Sequence, residues 1–155
     1  MSVWFIVNFI IFLFVVIKVS EGNLMPHTIV GGLGMLFILY NWTRHAVFTT
    51  IRSSIPRERK IIFAKLSKKV LPLHKWTGTS ALIIICIHFI LVLRYFPFEL
   101  QNIKMITGLI ALTCLIGVVI FGWLRHFRTT VARRYIHWTF AYLVILSTVI
   151  HIFMA

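Results

Sequence analysis

The chain has 155 residues, of which 60% are hydrophobic and only 12% charged, and its mean hydropathy is +0.97. A soluble domain is about 45–50% apolar with about a quarter of its residues charged, so composition excludes an ordinary water-soluble globule and points to the bilayer as solvent. The net charge of +13 does not mark a nucleic-acid binder, because the basic residues lie between apolar runs and read as membrane topology.

Five apolar runs follow in chain order: Val3–Ile17, Ile29–Tyr40, Gly78–Leu93, Ile106–Trp123 and Trp138–Met154. With their neutral and aromatic flanks they predict spans over 3–19, 28–43, 72–95, 105–124 and 135–154. A spanning helix needs about 20 residues, and the runs lack the alternation of barrel strands. The first run has neither a basic n-region nor an A-x-A-like cleavage site, so it reads as a helix rather than a signal peptide. The expected fold is all-α and integral to the membrane. It is a single domain, 1–155, built as a five-transmembrane helix bundle.

Five spans place loops on alternating sides. The N-terminal side carries thirteen Lys and Arg, from Arg44 to Lys75 and from Arg125 to Arg134, whereas the other side carries three, Lys18, Arg94 and Lys104. The positive-inside bias puts the N-terminus in the cytoplasm and the C-terminus outside, in a multi-pass protein of the plasma membrane. Between the second and third runs, PRERKIIFAKLSKKV has Ile62, Phe63, Leu66 and Val70 at helical spacing. It predicts an amphipathic inner-surface helix over 56–70, in contact with membrane lipid; a solvated basic loop is the alternative.

Glu21, Glu58 and Glu99 all fall in expected loops, which argues against a proton-coupled pump, where carboxylates lie inside the membrane. No Walker loop or G-x-G-x-x-G occurs. Cys86 and Cys114 lie in apolar runs, and there is no C-x-x-C-H for covalent haem attachment.

Histidines carry the chemistry. His74 and His88 are fourteen residues apart on the third span, and His137 and His151 are fourteen apart on the fifth. Fourteen residues fall about 40° short of four helical turns and rise about 21 Å, so each pair shares a face. One span intervenes, so the two carriers run parallel. His74 is then level with His137 near the inner surface, and His88 with His151 near the outer. Two facing imidazoles ligate a haem iron from above and below, so two levels predict two stacked haems of b type. Zinc requires four ligands in one compact site, and no Cys or carboxylate stands beside either pair. Gly78 and Ala141, four residues after His74 and His137, leave room for the macrocycle. Lys75, Arg44, Arg133 and Arg134 are candidates to meet propionates. His27, His45 and His126 have no partner at this spacing.

This pattern, with the phrase RRYIHWTFAYLVILSTVIH, resembles the transmembrane part of ferric reductase-like cytochromes b. That superfamily includes NADPH oxidases, ferric reductases and the haem-binding membrane subunit of a bacterial methionine sulfoxide reductase system. The resemblance covers Pro72–Phe153. It implies axial ligation by His74, His88, His137 and His151, and electron transfer from a cytoplasmic-side donor to an extracytoplasmic acceptor. Candidate acceptors are ferric iron, dioxygen or a redox protein. Family members commonly add a sixth span and a flavin and nicotinamide domain. This sequence ends four residues after His151, so the expectation is an oxidoreductase component supplied by a separate flavoprotein or a quinol, with no catalytic residues of its own. Two alternatives are a quinone-linked cytochrome b anchor subunit and a non-redox haem-binding membrane protein.

Overall fold

A computed structural model describes residues 3–21 and 25–154. The described residues form five helices and no strand: α1 (Val3–Glu21), α2 (Pro26–Arg52), α3 (Arg57–Tyr95), α4 (Ile103–Phe127) and α5 (Val131–Phe153). Local chemistry sets their starts. Pro26 occupies the first turn of α2, where its missing N–H costs nothing. The Asn102 side chain accepts from the backbone N–H of Lys104 and Met105, and the Thr130 hydroxyl accepts from that of Arg133. Each satisfies donors that the helix itself leaves open.

Four segments are long and apolar enough to cross a membrane: α1, Pro72–Tyr95 within α3, α4 and α5. Their outward faces are greasy. Ile6, Phe9, Ile83, Ile90, Ile120 and Leu146 are all exposed, as lipid-facing residues should be. The chain is therefore an all-helical, multi-pass membrane bundle. Helix α2 differs, because Asn41, Thr43, Arg44 and His45 interrupt its second half. It is also the most enclosed helix, burying Gly34, Met35, Ile38, Leu39, Trp42, Ala46 and Thr50.

Helix α3 has 39 residues. At about 1.5 Å per residue it exceeds the hydrocarbon thickness of about 30 Å. The segment expected as a separate surface helix is the first part of this same helix. Pro72 lies inside it without ending it, although it removes one backbone donor. The basic residues Arg57 to Lys69 thus belong to an N-terminal extension of α3, with Ile62 and Leu66 exposed.

The helices pack as a ring in chain order, and α5 closes onto α1. Within the ring, α3 and α5 bring no Cα atoms within 8 Å of each other; only side chains cross the interior. All five helices contribute to one apolar core, through Val15, Met35, Ile38, Leu39, Ala81, Cys114, Leu115 and Val144. Four of these share one level. Ile38, Ala81, Leu115 and Val144 lie seven residues after Gly31, His74, Gly108 and His137 respectively. Seven residues are about two turns, so this layer sits midway between the two histidine levels.

Candidate functional site

The structure brings together two pairs of rings between α3 and α5. The centroids of His74 and His137 are 6.4 Å apart with planes at 82°. Those of His88 and His151 are 6.5 Å apart, also at 82°. Each pair joins α3 to α5, the two helices whose backbones stay apart, and the two pairs lie four turns from each other.

These separations test the fit to an iron. Two metal–imidazole bonds of about 2.0 Å, plus about 1.2 Å from each ligating nitrogen to its ring centre, place the centroids about 6.4 Å apart. Both pairs match that span. Among the described residues, no group of three or more His, Cys, Asp or Glu is placed to hold a metal. A two-imidazole site suits an ion that brings its own equatorial ligands, as haem iron does. The donor set therefore fits haem and does not fit zinc.

The unbound ring nitrogens support the same reading. His88 Nδ1 lies 2.7 Å from the carbonyl of His27, His137 Nδ1 lies 2.9 Å from that of Val118, and His151 Nδ1 lies 2.9 Å from that of Lys104. A carbonyl oxygen only accepts, so each Nδ1 carries the proton and each Nε2 keeps a free lone pair. A histidine that ligates a metal commonly donates its other ring N–H to a backbone carbonyl in this way, which fixes its tautomer and orientation. His74 is the exception, since its buried Nδ1 has no hydrogen-bond partner among the described residues.

Cations gather at the inner level. The Nε atoms of Arg44, Arg125 and Arg134 are buried and have no hydrogen-bond partner among the described residues. Arg44 and Arg125 act electrostatically on both His74 and His137. The guanidinium of Arg44 lies over the Phe48 ring and that of Arg134 over Tyr135 and Trp138; buried Nε–H donors without partners are costly, and an anion between these helices would satisfy them. Haem propionates have that charge. Arg44 and Arg134 were expected here from sequence; Arg125 was not, because at the end of a span it read as a topology charge.

The remaining expected residues lie as follows. A Cβ on Gly78 would meet no atom within 4 Å, so space stands open beside His74. Ala141 is half-buried. Lys75 places its Nζ 3.4 Å from His126 Nδ1 and over the Trp123 ring. Arg133 donates to the carbonyls of Leu124 and Arg128, which ties the end of α4 to the start of α5. His45 pairs with the Tyr142 hydroxyl at 2.9 Å, inside an aromatic group with Trp4 and Trp42. The ring of His27 packs against Tyr95 and Phe96 at the outer end.

The chain matches no protein-family model, no curated protein and no solved structure.

Proposed function

We propose that this chain is a dihaem b-type membrane cytochrome that moves electrons across the bilayer, and that it is a member of the ferric reductase-like group its histidine pattern resembles. One observation carries the reading: two imidazole pairs, each at the separation an iron between them requires, stand at opposite ends of one helix pair. Bound haem would supply reversible one-electron chemistry at each pair. His74 and His137 would hold the inner group, and His88 and His151 the outer. Arg44, Arg125 and Arg134 would neutralise the inner propionates. Helix α2 is the fifth span; its 27 residues reach about 40 Å at about 1.5 Å each, and its neighbours shield its polar positions.

The layer of Ile38, Ala81, Leu115 and Val144 separates the two levels with 9%, 1%, 5% and 3% exposure. Its four side chains are apolar and carry no titratable group, so the layer would offer protons no relay between the two haems. Direction follows from charge. The thirteen basic residues of the inner side make it cytoplasmic, and an inside-negative potential favours an outward-moving electron by about 2.3 kcal/mol per 100 mV. The donor is a cytoplasmic flavoprotein or a quinol, and the acceptor lies outside.

The test is a pyridine haemochrome titration of fully loaded, purified protein. Two haems per chain, extractable into acidic acetone, are expected. Well under one per chain would rule the reading out.

A further inference from the structure

Three of the four imidazoles reach their carbonyl partners in the same way. The carbonyls belong to His27, Lys104 and Val118, and the residue four positions after each is a glycine: Gly31, Gly108 and Gly122. In an α-helix the Cβ leans toward the N-terminus, so the side chain at i+4 covers the carbonyl of residue i. Glycine leaves that carbonyl open. A Cβ on Gly31 would lie 2.9 Å from the His88 ring, one on Gly108 3.0 Å from the His151 ring, and one on Gly122 3.4 Å from the His137 ring. Gly108 and Gly122 are themselves fourteen residues apart on α4, the spacing of the histidines on antiparallel α5.

The fourth imidazole shows what happens without the notch. His74 lies fourteen residues before His88 on α3, so its register on antiparallel α2 lies fourteen after Gly31, at His45. The Thr77 hydroxyl donates to Asn41 Oδ1, which confirms that this part of α2 packs beside His74. His45 has a Cβ where the other three sites have glycine, and His74 Nδ1 has no partner among the described residues.

We infer that Gly31, Gly108 and Gly122 are positioning residues for the iron ligands, each a notch that lets one imidazole brace its Nδ1–H on a helix carbonyl and present Nε2 to the iron. The outer centre is braced at both ligands, and the inner centre only at His137. This inference rests on the dihaem reading and assigns residues that reading does not require.

The experiment compares Gly31→Ala, Gly108→Ala, Gly122→Ala and a control, Gly117→Ala, in the full-length, haem-loaded protein. A Cβ on Gly117 would be as crowded, 2.9 Å from Phe140, but it touches no histidine. The readouts are haem content, midpoint potential and the ferric electron paramagnetic resonance spectrum of each centre. Gly31→Ala and Gly108→Ala should alter the outer centre alone, and Gly122→Ala the inner centre alone. Each should shift that centre's potential and spectrum, or weaken its haem affinity about 10–100-fold, as loss of the hydrogen-bond partner of a metal ligand does. Gly117→Ala should leave both spectra unchanged. Unchanged potentials and spectra in the three notch variants would overturn the inference, as would the same loss in Gly117→Ala. Those results leave a two-haem wild type intact, whereas a wild type without haem removes the dihaem reading itself.

Discussion

The imidazole planes of His88 and His151 stand 82° apart, close to perpendicular, and those of His74 and His137 repeat the angle. An iron held between crossed imidazoles would, in its low-spin ferric form, keep its dxz and dyz orbitals nearly degenerate. Both centres should therefore give the highly anisotropic low-spin resonance of perpendicular ligand planes. A rhombic spectrum typical of parallel planes, recorded on oxidised protein at liquid-helium temperature, would contradict the observed ring geometry.

The arginine group sets the second prediction. Arg125 holds a buried Nε without a partner among the described residues and acts on both inner imidazoles. A cation beside an iron favours the reduced form, which carries one positive charge fewer. Arg125→Gln should lower the midpoint potential of the inner centre and leave the outer one in place. A redox titration that finds the inner potential unchanged or raised would remove Arg125 from the site.

Ala81 is 1% exposed at the centre of the layer between the two levels. Ala81→Phe forces extra volume into a filled position, which typically costs about 1–3 kcal/mol. Thermal unfolding in detergent should show a lower midpoint with haem still bound. A wild-type midpoint would mean that the layer is looser than the structure shows.

Topology supplies a fourth prediction. A reporter fused after Met154 should behave as extracytoplasmic, given the basic excess on the side of the N-terminus. Activity of a cytoplasm-only reporter there would reverse the proposed direction of electron flow.

The pairing of the four imidazoles was legible in the sequence because a whole number of helical turns is a strong constraint. Fourteen residues bring an imidazole back to its own face whatever the packing, and the intervening helix makes the carriers parallel. The glycines at 108 and 122 carried the same spacing, but a glycine signals only that something approaches closely. What approaches depends on the neighbouring helix, and for Gly31 the matching position is His45, which breaks the pattern. The arginines were legible as a group but not individually. Arg133 turns to helix carbonyls while Arg125 turns inward, and that choice is made by packing at the helix ends rather than by local sequence. The unbroken length of α3 was hidden by Pro72, which reads as a boundary yet is accommodated within the helix at the loss of one backbone hydrogen bond. The second half of α2 has a weak apolar signal because Asn41, Thr43, Arg44 and His45 interrupt it, and these side chains are half-buried against neighbouring helices while Tyr40 and Phe48 face outward.

In the proposed cytochrome, four histidines form two iron sites paired across α3 and α5. The most direct measurement is the haem count and optical spectrum of purified His74→Ala, His88→Ala, His137→Ala and His151→Ala proteins. His74→Ala and His137→Ala should impair one and the same haem, His88→Ala and His151→Ala should impair the other, and each variant should keep the second haem low-spin. Variants that pair instead as His74 with His88 and His137 with His151, or four variants that all keep two intact low-spin haems, would contradict this pairing.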